Sequence, residues 1–313
     1  MSKIFEALRK TEGEVADLAL PMVEPGLADD RSMVEQIVRE TAAGVPEAIV
    51  AAVGIGAERH DTAAQTTVLD PPPQTGPAVR GIRTVSLRLS LDTPVLPFDG
   101  AHSRAGEQYR VARTKIIHHP QQPRLIVISS TGPRDGKTVS SVNLAGALAL
   151  KNEAQVLLID ADLRRASIGS VLGIDNTPGL ADVLSGNCAL DDAIVRLEQF
   201  PNLCVLPGGK AIANPTELLD SANWTALCNT VRRQFKFVIF DAPPIATVAD
   251  YDLIHAQCDG VILVARPDHT SRKLFMQALD LIPKERLVGV LLNCVRDWFL
   301  WKTQDYYYGN VEA

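Results

Sequence analysis

Leu125-Ile126-Val127-Ile128-Ser129-Ser130-Thr131-Gly132-Pro133-Arg134-Asp135-Gly136-Lys137-Thr138 is the stretch that decides the fold of this chain. Its apolar start reads as a short buried strand, and the run from Val139 to Leu150 that follows it reads as a helix. The turn between them has the chemistry of a phosphate cradle. Glycine lets the backbone approach an anion closely, and successive N–H groups and the positive helix N-terminus neutralise phosphate charge. Lys137 is placed to reach β- and γ-phosphates, and the Thr138 hydroxyl to bind Mg²⁺. The common form of this loop carries glycine five residues before the final Gly-Lys pair, where this chain has Thr131. It is therefore a variant Walker A loop, with Gly132, Pro133, Arg134, Asp135, Gly136, Lys137, Thr138 and Val139 as the nucleotide-contacting stretch.

Outward from this loop the pattern repeats. Apolar strands are expected at Leu125–Ser129, Val156–Asp160, Leu203–Leu206, Phe237–Asp241, Val261–Val264 and Val288–Leu292. Helices are expected over Val139–Lys151, Pro215–Gln234 and Ser271–Leu281. Short continuous apolar strands alternating with helices imply a sheet buried on both faces with right-handed crossovers. The fold class is α/β: a doubly wound, mainly parallel sheet of P-loop NTPase type, in which ligands bind at the carboxyl edge of the strands. This domain is assigned to residues 99–297, with ordered structure starting near His102. Residues 1–98 read as an N-terminal extension. A short amphipathic helix over 2–10 is followed by an Ala-, Pro- and Gly-rich linker containing Pro71-Pro72-Pro73, whose weak periodicity predicts disorder. Residues 298–313 form a C-terminal tail.

The composition narrows the chemistry. A chain of 313 residues, 46% of them hydrophobic, can bury a sizeable core. A net charge of -6 argues against nucleic acid as a partner bound by broad phosphate neutralisation. Five cysteines stand singly without a Cys-x-x-Cys pair, so neither a zinc site nor a disulfide framework is suggested, which fits a reducing cytoplasm. The apolar stretch Ala48–Ala57 is far shorter than the roughly 20 residues a spanning helix needs, and no secretory signal precedes it. Membrane attachment is thus expected only through a partner.

Two carboxylate-bearing strand ends complete the site. One reads Asp160-Ala161-Asp162-Leu163-Arg164-Arg165 and the other Asp241-Ala242-Pro243-Pro244. Phosphoryl transfer needs a cation bridging phosphate oxygens, a carboxylate behind that cation, and a group that orients or deprotonates the acceptor. A single strand-end aspartate suffices for the metal, so the additional pair on the neighbouring strand suggests an acceptor hydroxyl other than water. For Asp162, capping the next turn or pairing with Arg165 is the structural alternative. In the tail, Tyr306-Tyr307-Tyr308 are flanked by Gln304-Asp305 and Gly309-Asn310, a polar setting unlike that of core aromatics. Phosphorylation would add roughly -1.5 to -2 charges to each, making the cluster a graded electrostatic switch. Packing of this aromatic patch on the domain or a partner is the alternative, since Trp298, Phe299 and Trp301 are close by.

Together the Asp135-Gly136-Lys137-Thr138 loop, both aspartate strand ends and the terminal tyrosines resemble the bacterial tyrosine kinases of capsular and exopolysaccharide clusters. The resemblance runs from about Glu107 to the C-terminus and includes Pro178–Gly186 and Asn214–Ser221. It implies an ATP- and Mg²⁺-dependent autokinase that phosphorylates the tyrosine tail of a neighbouring subunit in a ring and regulates polysaccharide polymerisation and export. On this resemblance Asp162 and Asp241 join Thr138 as metal ligands, and Asp160 with Lys137 is catalytic. Tyr306, Tyr307 and Tyr308 are then the autophosphorylation sites, Asn293 lies beside adenine, and Glu107, Arg110 and Arg113 form an oligomerisation motif. The implied partners are a separate membrane activator, the polysaccharide co-polymerase, and a cognate tyrosine phosphatase. The implied location is cytoplasmic, recruited to the inner membrane face. Arg134 stands where such loops usually have glycine, and Ala166 where proline commonly follows the arginine pair. Two other readings share the fold: a partition-type ATPase switch, whose additional loop lysine is missing here, and a non-catalytic ATP-binding regulator of a membrane co-polymerase.

Overall fold

The structure is a computed structural model that describes residues 49–54, 81–87, 104–151, 154–245 and 247–295. Nine strands form one sheet: β1 (Ile49–Gly54), β2 (Arg83–Val85), β3 (Leu125–Ser130), β4 (Val156–Asp160), β5 (Val195–Leu197), β6 (Phe200–Leu206), β7 (Phe237–Asp241), β8 (Gly260–Ala265) and β9 (Leu287–Val295). Their spatial order is β1-β9-β8-β3-β7-β4-β6-β5-β2. Every pairing is parallel except the β5–β6 hairpin, so the mainly parallel α/β expectation holds. After β3 the chain runs out to β4 and β6, then returns to insert β7 between β3 and β4. It next places β8 and β9 on the other side of β3. This reversal opens the crevice at the carboxyl ends of the strands where α/β proteins bind ligands.

Both faces of the sheet are covered, and strand periodicity assigns the residues. Leu125, Val127, Leu157, Ile159, Val238 and Phe240 enter one core cluster, whereas Ile126, Ile128, Val156, Leu158, Phe237 and Ile239 enter the other. Side chains alternate between faces with period 2, so only a continuous apolar run can bury both. The second cluster is covered by α1 (Arg104–Ile117), through Tyr109, Ala112 and Ile116, and by α2 (Lys137–Ala149). In α2 every residue from Ser140 to Ala149 is buried, and its many small side chains let the helix lie close to the sheet. On the opposite face lie α7 (Ala222–Gln234), contributing Trp224, Leu227 and Val231, and α9 (Arg272–Asp280), contributing Phe275 and Ala278. Short helices α3 (Ile168–Leu172), α4 (Leu180–Leu184), α5 (Leu190–Ala193), α6 (Pro215–Leu219) and α8 (Asp250–Ala256) fill the connections.

Several elements differ from the sequence expectation. The single helix expected over Pro215–Gln234 is two, because Ser221 caps α7 by accepting the Trp224 N–H and so starts a new helix. Two segments of the extension read as linker form strands: β1 pairs with the free edge of β9, and β2 with that of β5. Edge strands present unpaired N–H and C=O groups, and the apolar run of β1 and the three-residue β2 satisfy them at the two ends of the sheet. The expected helix at 2–10 and the tail at 298–313 lie outside the described residues. Among the described residues no helix is long and apolar enough to cross a membrane, and the cysteines are free thiols.

Candidate active site

The loop that leaves β3 is built around a left-handed residue. Gly136, the N-cap of α2, has φ 92°, and a Cβ there would overlap the Asn293 side-chain amide, so only glycine fits. No side chain caps α2, so the first-turn N–H groups remain available to an anion. Arg134 also adopts positive φ, 69°, where an L-residue other than glycine is strained. That explains why glycine is the usual residue there. Pro133 and Arg134 are exposed at the lip, whereas Gly132, Gly136, Lys137, Thr138 and Val139 are half-buried. Asn293, on β9, donates from Nδ2 to the Asp135 carbonyl at 3.0 Å, which brings it against the loop.

The strand-end carboxylates converge on Lys137. Its Nζ is 2.9 Å from Asp162 Oδ2 and 3.4 Å from Asp241 Oδ1. Thr138 Oγ1 donates to Asp241 Oδ2 at 2.6 Å and lies 3.2 Å from Ser167 Oγ, while Ser141 Oγ donates to Asp241 Oδ1 at 3.3 Å. Of the alternatives for Asp162, the turn cap is present, since its Oδ1 accepts the Arg165 backbone N–H, but its ion pair is with Lys137 and not with Arg165. Asp160 is tied by one oxygen only. Its Oδ2 accepts the N–H groups of Ser167 and Ile168 at 2.8 and 2.9 Å, whereas its Oδ1 is buried with no hydrogen-bond partner. Gly208 keeps space beside it, since a Cβ there would overlap Ala166 and stand 3.5 Å from the Asp160 carboxyl carbon.

The electrostatics follow from this crowding. Burial, and then the charge of Asp241, push the Asp160 carboxyl up to about 7, against the pull of the two backbone N–H groups and Lys137. Asp241 is also raised, by burial above all, despite Lys137 and Thr138. Burial disfavours the Lys137 ammonium, but Asp241 and Asp162 outweigh it and hold its pKa above the ordinary lysine value. Hard oxygen donors from Thr138, Asp162 and Asp241 in one crevice suit Mg²⁺. Among the described residues no three acidic, His or Cys side chains stand ready to chelate a cation. Such a donor set matches Mg²⁺, which takes one or two carboxylates and completes its shell with waters and phosphate oxygens.

Three comparisons bear on what this arrangement is. The family model described as an AAA domain matches residues 124–284. The chain is 32% identical over 194 residues to the tyrosine-protein kinase CpsD of Streptococcus agalactiae, covering 61% of this chain and 84% of that protein. It is 34% identical over 211 residues to the tyrosine-protein kinase YwqD of Bacillus subtilis, covering 66% and 87% respectively. This chain belongs to the bacterial tyrosine-protein kinase family. The kinase domain of the Escherichia coli tyrosine kinase ETK superposes with a TM-score of 0.60 at 27% identity, covering 65% of this chain and 81% of that one. For the VpsO kinase domain the TM-score is 0.56 at 31% identity, with 61% and 96% covered.

Within this family fold, several residues not assigned an individual role from the sequence make contacts at or beside the site. Ser141 and Ser167 hydrogen-bond within the carboxylate cluster. Arg164 grips Asp250 at 2.7 and 3.1 Å and Thr216 at 3.0 Å, fixing the turn after β4 to α8 and α6. His269 and Thr270 meet the phosphate loop at Asp135. On α1, Glu107 and Arg110 form an exposed ion pair at 3.0 Å, while Arg113 instead donates to the Ala147 carbonyl near the end of α2. Tyr306, Tyr307 and Tyr308 lie outside the described residues.

Proposed function

We propose that this kinase-family chain is an ATP-dependent protein-tyrosine autokinase whose acceptors are Tyr306, Tyr307 and Tyr308 of a neighbouring subunit. The observation that carries the reading is Asp160. A carboxylate with one oxygen anchored and the other buried without a partner, its pKa raised to about 7, has the properties of a general base for a tyrosine hydroxyl. Lys137 would exchange its contacts with Asp162 and Asp241 for the β- and γ-phosphates, leaving both carboxylates and Thr138 Oγ1 to hold Mg²⁺. The bound cation would neutralise phosphate charge. The α2 N-terminus would receive phosphate oxygens, Asn293 would lie on the adenine side, and Asp160 would take the phenolic proton as the tyrosine oxygen attacks phosphorus and ADP leaves.

The exposed Glu107–Arg110 pair is consistent with an oligomer contact on α1, in a ring that delivers one subunit's tail to the next. By family resemblance, a separate membrane polysaccharide co-polymerase would act as activator and a tyrosine phosphatase would reset the tail, so that cycling controls capsule or exopolysaccharide export from the cytoplasmic side of the membrane. The test is mass spectrometry of the C-terminal peptide after incubation with MgATP and the activator. Phosphotyrosine is expected in the wild type, and none in Lys137→Met or in the variant with all three tail tyrosines changed to phenylalanine, with MgADP binding kept in the latter. ATP turnover without tail phosphate in the wild type would favour an ATPase switch, and binding without either would favour a non-catalytic regulator.

A further inference from the structure

An aspartate inside a phosphate loop is electrostatically awkward, because its charge opposes that of the ligand. Asp135 is nonetheless buried there, 1% exposed, and both carboxylate oxygens are engaged with protein. Its Oδ2 accepts the Gly132 N–H at 2.9 Å, closing the loop on itself. Its Oδ1 accepts the Thr270 hydroxyl at 2.8 Å and lies 3.0 Å from His269 Nδ1. Thr270 is itself anchored, since its Oγ1 accepts the Arg266 N–H at 2.8 Å. Arg266 in turn holds Asp268 through two bonds of 2.8 and 3.0 Å, which stiffens the turn. These partners lie some 135 positions away in sequence but adjacent in space, because β3 and β8 pair in parallel up to Ser130 and Val264.

We propose that Asp135 is a positioning residue: it latches the phosphate loop to the 266–270 turn through Thr270 and His269, so that the loop has its phosphate-accepting shape before nucleotide arrives. Preorganisation of this kind lowers the ordering cost of binding. The role rests on the nucleotide-binding reading of the loop. It also gives the strained Arg134 a reason to stay in place, since its neighbour is bolted on both sides: the carboxylate to Thr270 and the carbonyl to Asn293.

Thr270→Val removes the donor while keeping the shape of the side chain, and Thr270→Ser restores it. Each variant is compared with the wild type and Asp135→Asn in three measurements: hydrogen exchange of residues 129–137 without nucleotide, MgADP affinity by calorimetry, and thermal unfolding. The latch predicts faster exchange confined to this loop and about tenfold weaker MgADP binding in Thr270→Val and Asp135→Asn. Melting temperatures should fall by only about 2–6 °C, since Thr270→Val also leaves the Arg266 N–H without its acceptor, and Thr270→Ser should behave like the wild type. Exposed His269 should matter less, so His269→Ala is expected to weaken binding only about two- to threefold. Wild-type exchange and affinity in Thr270→Val would overturn the proposal, as would a loss of affinity accompanied by faster exchange throughout the domain. A wild-type protein that binds no MgADP would defeat the nucleotide reading itself and with it the latch's role, an outcome separate from the first two.

Discussion

Two buried aspartates flank the same crevice and are treated in opposite ways. Asp135, on the side of β8 and β9, has donors on both oxygens and is spent on shape. Asp160, on the β4 side, has two backbone donors on one oxygen and nothing on the other, beside a second carboxylate that further disfavours its ionisation. Folded proteins satisfy nearly all buried polar atoms, because an unpaired one costs roughly 1–3 kcal/mol. The proposed base would be such an exception, an atom left free for a ligand, whereas the fully satisfied carboxylate in the same crevice fits a brace. The difference lies in how many donors the neighbouring loops bring, since both residues are aspartates and both are almost inaccessible.

The sharpest way to break this comparison is Asp160→Asn. As a base, Asp160 should be required for transfer but not for holding nucleotide, so the variant is expected to bind MgADP within about threefold of the wild type while losing transfer by roughly 10²–10⁴-fold. Quench-flow of tail phosphorylation beside calorimetry reads both quantities, and a matched loss of binding would make Asp160 a metal ligand instead. In the wild type the transfer rate should rise with pH through about 7, as the carboxyl loses its proton.

A smaller effect concerns stability. The folded-state pKa of Asp160 lies above its ordinary value of 3.8, at about 7, so between these values the folded protein holds a proton that the unfolded chain has released. This group's contribution therefore declines as pH climbs from about 4 to about 7 and is flat above. Asp160→Asn should remove that decline and stabilise the protein at pH 8 by on the order of 1–2 kcal/mol, visible in urea unfolding at pH 5 and pH 8. Equal stabilisation at both values would show that the charge is not what makes the site costly.

The two sides of the crevice also differ in how readily the sequence discloses them. Continuous apolar runs such as Phe237–Asp241 and Val156–Asp160 name their strands and thereby place Asp160, Asp162 and Asp241 at one edge. Lys137, Thr138 and Gly136 are legible because a phosphate loop is a local motif. The brace is not local: Thr270 and His269 join Asp135 only through the β3–β8 pairing, and no spacing rule links them. The apolar run of β1 is visible in the sequence, but a short run far from the domain does not say which sheet edge it joins, and β2 is only three residues long. The spacing of the charged α1 motif is legible, but that Arg113 reaches inward to α2 is set by packing alone.

The smallest expected effect tests whether the braced side carries strain on behalf of the ligand. Arg134 has φ 69°, and no partner for its side chain is found among the described residues. A non-glycine residue in that conformation costs about 1–2 kcal/mol, and glycine would return about 0.5–1 kcal/mol of that through the freedom it gives the unfolded chain. Arg134→Gly should therefore stabilise the protein by about 0.5–1 kcal/mol, raising the melting temperature by about 1–4 °C. Arg134→Lys keeps both charge and strain and should melt like the wild type. If the exposed cation at the lip assists phosphate binding, Arg134→Gly should also bind MgADP a few-fold more weakly at low salt, a difference that shrinks as salt screens it, while Arg134→Lys should not. Higher stability with unchanged affinity at every ionic strength would mean that the loop tolerates arginine because Asp135 is latched. Lower stability in Arg134→Gly would mean that the side chain has a partner holding it in place, and the contrast between a braced side and a reactive side would need redrawing at the lip of the loop.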